Sequence, residues 1–291
     1  MSDSLTPDKA EPRTSRGFYE GDSLHIRAYD TLHGSATPCV QGDVDFYGVA
    51  AGRADGPVLE IGSGTGRVAW SLADRGHKVT GLEISPSMIQ LACRKSLSQG
   101  HTTAATSPTF TQGDMRAFDL GTKFGLIIAP FRTFHVLLTP EDQLSALRAM
   151  GRHLAPDGVM ILHLFDPRID DLSSFRKPPQ EERRGHDAET GRTIVARLEN
   201  VEIDRFNQIL ENRWVYELEG QDGSVERSEH LTLTVRWTYR QEMKHLLARA
   251  GFEVTEEYGD FLGGVPDHGK EQVLVCKAAP MASQAPPQTG T

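Results

Sequence analysis

The stretch VLEIGSGTGR, residues 58–67, constrains this chain more than any other. A short apolar run with branched side chains reads as a buried strand, and it breaks into Gly62, Gly64 and Gly66 before an amphipathic stretch starts at Arg67. Glycines at alternate positions let the backbone turn sharply, approach a ligand closely and aim free N–H groups at it. A strand, turn and helix of this kind call for a parallel neighbour, which points to an α/β domain built around them.

Residues further along the chain repeat the pattern. PVLEI, HKVTGLEI, TFTQGDM, FGLIIAPF and GVMILHLFD read as five strands, separated by helices over RVAWSLADRG, SPSMIQLACRK and TPEDQLSALRAMGRHL. Ser85 is placed to cap the second helix with Pro86 at its first position, and Gly76 stops the first. After Asp166 the rhythm changes. TIVARLENVEI, NQILENRWVYEL and HLTLTVRW alternate polar and apolar residues, with EGQDGS as a turn, so an antiparallel sheet with one solvated face is expected. YRQEMKHLLARAG then reads as a helix with a capping box between Thr238 and Gln241, and FEVTEEYG and EQVLVCKA as a closing strand pair. The expected organisation is a disordered tail at 1–16, an N-terminal helical lid at 17–56, a core at 57–170 and 236–278, an inserted sheet at 171–235 and a second disordered tail at 279–291.

The glycine spacing narrows the ligand. A dinucleotide site asks for G-x-G-x-x-G, and the third required glycine is Arg67 here; the phosphate loop G-x-x-x-x-G-K-[ST] is also missing. What stands instead is E-x-G-x-G-x-G, with Glu60 placed to hold an ammonium group. Glu83 lies 19 residues beyond Gly64, at the end of the second strand, where a carboxylate can accept both hydroxyls of a ribose. Asp114, after the third strand, can accept from the exocyclic amine of an adenine.

Together these segments resemble the class I S-adenosylmethionine-dependent methyltransferases. VLEIGSGTG, GLEIS, GDM, FGLIIAPF and LAPDGVMILHLF match five of that family's motifs in order. The resemblance implies a Rossmann-like seven-stranded sheet of order 3-2-1-4-5-7-6 with strand seven antiparallel. It also implies S-adenosylmethionine as cofactor and S-adenosylhomocysteine as product, while the want of any repeated His/Asp/Glu spacing argues against a metal. Gly62, Gly64 and Gly66 would face the methionine part, Glu83 the ribose, and Asp114 and Met115 the adenine. Ser63, Arg67, Ile84, Met88 and Pro130 complete the expected cofactor site, although Met88 and Met115 suit a core-filling role equally well.

The acceptor is read from the segment after strand four. Nucleobase amino-methyltransferases carry an Asn- or Asp-Pro-Pro-aromatic motif there, and this chain has APFRTFHVL. Arg132 is expected to clamp an acceptor carboxylate, with His135 as a general base or a structural residue and Tyr29 as a further catalytic candidate. Tyr29, Asp30, His33 and Tyr47 are expected to line the acceptor pocket, together with Asp166, Arg236 and Tyr239; His163, Arg213, Trp214 and Tyr216 are weaker candidates. The expected reaction is methylation of a small, polar, carboxylate-bearing amino acid such as glycine, sarcosine or methionine, on nitrogen or sulfur. An N- or O-methyltransferase of an amino sugar or secondary metabolite is the first alternative, and a non-catalytic binding module the second.

Composition sets the partners. A formal charge of −9 with no dense basic block argues against nucleic acid, and EERR at 181–184 reads as a solvated loop. No run of about 18 apolar residues is available to span a membrane. Cys39, Cys93 and Cys276 are too scattered for a zinc site or a disulfide framework. A cytoplasmic enzyme is expected, with a homodimer allowed for.

Overall fold

The computed structural model describes residues 13–33, 37–98, 107–168, 182–187 and 189–280. Of the tails expected at 1–16 and 279–291, residues 1–12 and 281–291 lie outside them, as does most of the stretch between strand five and the inserted sheet.

Seven strands make the main sheet: β1 (Val58–Ile61), β2 (Val79–Glu83), β3 (Thr109–Gln112), β4 (Phe124–Ala129), β5 (Leu154–Phe165), β10 (Phe252–Tyr258) and β11 (Glu271–Ala278). Their order is β3-β2-β1-β4-β5-β11-β10. The first five pair in parallel, and β11 runs antiparallel to both β5 and β10. This is the order that the resemblance implies, once the strands of the insertion are set aside. β1 and β4 are buried along their whole length, as a central parallel strand covered on both faces must be.

Helices cover the two faces. On one, α6 (Pro140–His153) and α7 (Arg240–Arg249) bury Leu144, Leu147, Met150, Met243 and Leu247. On the other, α3 (Asp43–Arg53) and α4 (Arg67–Asp74) bury Tyr47, Ala51, Val68, Ala69 and Leu72. α5 (Pro86–Ser98) starts as the sequence foretells: Ser85 Oγ accepts from the Met88 N–H at 3.2 Å. Thr139 likewise caps α6 by accepting from the Asp142 N–H. The capping box at 238–241 does not form. Tyr239 is the N-cap, and Thr238 Oγ1 instead accepts from Gln143 Nε2 at 3.0 Å inside the protein.

The insertion is a second, antiparallel sheet of order β6-β7-β8-β9. β7 (Thr193–Asp204), β8 (Ile209–Glu219) and β9 (Val225–Arg236) follow the expected alternation. β6 (Glu182–His186) corrects the reading of EERR as a solvated loop: this segment pairs with β7 from Glu182↔Arg197 to His186↔Thr193. The apolar face of the sheet packs on the N-terminal helices α1 (Leu24–Arg27) and α2 (Tyr29–Leu32), forming a third core of Phe18, Leu24, Ala28, Leu32, Ile194, Trp214 and Tyr216. Two polar ties fix the contact, Arg27 to the buried carboxylate of Asp187, and the Leu24 N–H to Glu229 Oε2 at 2.8 Å.

Candidate cofactor and acceptor site

The turn after β1 is held by the strand beside it. The N–H groups of Gly62 and Ser63 both donate to the Leu82 carbonyl, at 2.7 and 3.1 Å, and Gly62, Gly64 and Gly66 all take positive φ, at 65°, 53° and 76°. A side chain would do different harm at each. A Cβ at Gly62 would sit 2.2 Å from Thr133 Cγ2 and one at Gly66 2.7 Å from Phe110, whereas Gly64 opens on free space. Glu83 is nine-tenths buried at the end of β2 and accepts from the Gly64 N–H at 2.8 Å and the Ser85 N–H at 2.9 Å. Burial raises its pKa, and those two backbone donors oppose the rise.

Glu60 is buried under the turn with Oε2 unpaired among the described residues. Burial pushes its carboxyl up to about 8 against the pull of Arg67, whose guanidinium is held two-pronged by the buried Asp43. An orphaned carboxylate oxygen beneath a glycine cradle, with a second carboxylate 19 residues beyond Gly64, fits an aminoacyl-nucleoside ligand.

The turn opens into a cavity of about 940 Å³. That volume lies near the top of the roughly 300–1,000 Å³ range of small-molecule sites. Of the residues expected to hold the cofactor, all but Gly66 border it: Glu60, Gly62, Ser63, Gly64, Arg67, Glu83, Ile84, Met88, Asp114, Met115 and Pro130; Gly66 packs against Phe110 and Trp70 instead. The Asp114 carboxylate is also gripped by Arg116, with both oxygens 3.0 Å from Nε.

At the far end the expected acceptor residues divide. Tyr29 and His33 border the cavity with their rings 5.0 Å apart. Asp30 also borders it and accepts from Thr65 Oγ1 and Lys95 Nζ, which ties α2 to the glycine turn. His33 Nδ1 lies 3.3 Å from Arg183 Nη1; burial first and this cation second hold its pKa down at about 4. Asp166 borders the cavity too, but accepts from the Gly269 N–H and Gln272 Nε2, fixing the entry to β11.

Arg132 is already engaged. It stands with Phe131 in the left-handed region, at φ 62° and 52°, and forms a two-pronged ion pair with Glu271. His163 Nε2 donates to the same carboxylate at 2.9 Å. His135 has both nitrogens bonded to backbone: Nδ1 donates to the Arg236 carbonyl at 2.7 Å and Nε2 accepts from the Phe165 N–H at 3.2 Å. Burial brings its pKa down to about 3, so it is neutral and without a free lone pair.

Three expected acceptor residues lie away from the cavity. Tyr47 is fully buried between α3 and the main sheet, against Phe261. Arg236 is turned inward to Gln143, Gln208 and Glu242, because a buried guanidinium needs every donor matched. Tyr239 sits at the start of α7 with 40% exposure. Conversely, His25, Arg183 and Glu271 border the cavity and were not singled out from the sequence. Arg183 lies 5.2 Å over the Trp214 ring. The apolar rows of the inserted sheet, with Leu198, Val201, Ile203, Leu210, Leu233 and Val235, close the opposite wall.

Residues 58–158 match the family model of a methyltransferase domain. This match agrees with what the motifs and the strand order imply. The chain carries a methyltransferase domain of the S-adenosylmethionine-dependent kind. The methyltransferase is 24% identical over 248 residues to the cypemycin N-terminal methyltransferase of a Streptomyces species, covering 83% of this chain and 90% of that one. It is 32% identical over 105 residues to dTDP-3-amino-3,4,6-trideoxy-alpha-D-glucopyranose N,N-dimethyltransferase of Streptomyces venezuelae, a match spanning 36% of this chain and 40% of its relative. Among solved structures it is similar to the CcbJ methyltransferase from Streptomyces caelestis, with TM-score 0.67 and 25% identity over 87% of this chain and 95% of that one. The methyltransferase therefore transfers a methyl group from S-adenosylmethionine to a small molecule. Among the described residues, no helix is long and apolar enough to cross a membrane.

Proposed function

We propose that the acceptor is an amine carried on a bulky molecule with an apolar face, such as an amino sugar bearing an aglycone or another secondary metabolite, and that nitrogen is the methylated atom. The observation that carries this reading is the wall of Leu198, Val201, Leu210, Trp214, Leu233 and Val235 facing the cofactor turn across the cavity. Burying apolar surface of the acceptor there contributes about 25 cal/mol per Å². Glycine or sarcosine has almost no such surface. Arg132, expected to clamp a carboxylate, has both prongs on Glu271, so a free amino acid would first have to displace a partly buried ion pair. The names of the two relatives add support, since both describe methylation of an amine.

Bound S-adenosylmethionine would supply the methyl group on its sulfonium. Glu60 would face its ammonium, Glu83 its ribose, and Asp114, Met115, Ile84 and Met88 its adenine. The remaining task of the chain is to hold the acceptor lone pair in line and exclude water. α1 and α2, resting on the inserted sheet, act as the lid, with the turn at Arg132 forming the floor.

The test is incubation of the purified protein with methyl-labelled S-adenosylmethionine and pooled acceptors, read by mass spectrometry. The pools are free amino acids, amino sugars with and without an aryl aglycone, and phenols. Label on the nitrogen of a bulky amine is the expected result. Label confined to glycine, sarcosine or methionine would overturn the reading in favour of an amino-acid acceptor.

A further inference from the structure

His25 is fully buried, and neither of its ring nitrogens has a hydrogen-bond partner among the described residues. Nearly all buried polar groups in folded proteins are paired, so an imidazole left with a donor and an acceptor both unused needs a reason. The ring is held from several sides: by Phe18 at 4.2 Å between centroids, Tyr216 at 5.2 Å, Tyr29 at 5.4 Å and His33 at 5.5 Å. It borders the cavity between the cofactor turn and the sheet wall. Its helix, α1, is anchored to the inserted sheet through Arg27 and Leu24, so its position is set by that sheet.

We infer that His25 is the residue that holds the reacting amine, its unprotonated ring nitrogen accepting a hydrogen bond from the acceptor N–H. This assignment rests on the reading of the acceptor as an amine. Burial first and His33 second keep the pKa of His25 well below the ordinary histidine value, so the ring is neutral and has a lone pair to offer. In the reaction the nitrogen lone pair forms the new N–C bond, and the S–C bond breaks with its electron pair passing to sulfur. The positive charge moves from sulfur to nitrogen, and the methylated ammonium gives up its proton to water on release. The His25 hydrogen bond becomes charge-assisted as the nitrogen gains that charge. It is therefore stronger in the transition state than in the ground state, which is the condition for raising kcat. Holding one N–H of the amine in this way also fixes the direction in which its lone pair points.

The experiment compares wild type, His25→Phe and His25→Gln with methyl-labelled S-adenosylmethionine. The acceptors are p-nitrophenyl glycosides of 2-, 3- and 4-amino-hexoses, with their hydroxyl counterparts as controls, and kcat, KM and melting temperature are measured for each protein. His25→Phe should lower kcat on the amine by about tenfold to a hundredfold. Its KM for S-adenosylmethionine should be unchanged and its melting temperature equal or higher, because two unpaired buried nitrogens are removed. His25→Gln, which keeps an acceptor atom, should recover part of the rate. Wild-type kcat in His25→Phe would overturn the assignment while leaving the amine reading intact, and so would a loss that follows a fall in melting temperature and is not relieved by Gln. Wild type that methylates only the hydroxyl glycosides, or none of the glycosides, would overturn the amine reading and the assignment with it.

Discussion

Glu271 at the start of β11 holds Arg132 in the turn after β4, across 139 positions of chain, with Oε2 accepting from Arg132 Nε at 3.0 Å. The pair bridges the antiparallel end of the sheet to its parallel centre and fixes a turn whose two consecutive residues have positive φ. Such backbone costs on the order of 1–3 kcal/mol per residue and persists only when its surroundings over-determine it. Thr133, the next residue, closes over Gly62, so the same pair helps to shape the cofactor turn.

Removing either partner should therefore act on the turn. Arg132→Ala and Glu271→Ala should each cost about 1.5–3 kcal/mol, the usual worth of hydrogen bonds to charged groups. The double variant should cost less than the sum, with a coupling of about 1–3 kcal/mol in a denaturant-unfolding cycle. Additive losses would show that the two side chains act separately.

The three glycines of the turn should respond unequally to alanine. Gly64→Ala meets only the strain of its φ, about 1–2 kcal/mol, since the position opens on free space. Gly62→Ala adds a clash with Thr133, and Gly66→Ala one with Phe110. Calorimetric titration with S-adenosylmethionine should show a loss of affinity of about tenfold or more at Gly62, equivalent to about 1.4 kcal/mol.

Glu83→Gln keeps the shape of the side chain and removes the charge that its two backbone donors are set to meet. Charge-assisted hydrogen bonds are about twice as strong as neutral ones, so affinity for S-adenosylmethionine should fall by about tenfold to a hundredfold. Acceptor KM, measured with cofactor saturating, should stay near wild type.

Trp214, with Arg183 above its ring, borders the cavity from the inserted sheet, where the proposed acceptor would lie. Trp214→Ala should raise acceptor KM by about tenfold or more and leave cofactor affinity unchanged, as loss of aromatic burial predicts. Equal loss on both substrates would place its effect in folding of the sheet.

Acid should weaken the fold through its neutral histidines. His135 is held down at about 3 and His33 at about 4, both mainly by burial, against an ordinary value of about 6.5. Below 6.5 the unfolded chain takes up protons that the folded chain refuses. Their contribution is complete above about pH 6.5 and is lost as pH falls through 6.5 towards 4 and then 3. Denaturant midpoints should drop steadily from about pH 7 to about pH 4, and His135→Gln should flatten that slope whatever its effect at neutral pH.

The main sheet and the glycine-turn end of the cavity were legible in the sequence because their information is local. A buried strand, a glycine turn and a capped helix each follow from residues a few positions apart, and Glu60, Glu83 and Asp114 sit at fixed offsets from those turns. Parallel strands with right-handed crossovers then leave few orders for the sheet. The acceptor end had no such rule. Arg132 reads as available for a ligand because Glu271 is far away in sequence, and Tyr47 reads as a pocket residue although α3 buries it in the core of the main sheet. EERR looked like solvent-exposed loop until pairing with β7 set Arg183 over Trp214. The sequence alone determined most of the short segments that become strands, turns and helices, and where Glu60, Glu83 and Asp114 stand relative to the glycine turn. Only the tertiary structure decided which charges were already paired, which histidine nitrogens were spent on backbone and which were left open, because desolvation and pairing depend on what the fold brings together from distant parts of the chain.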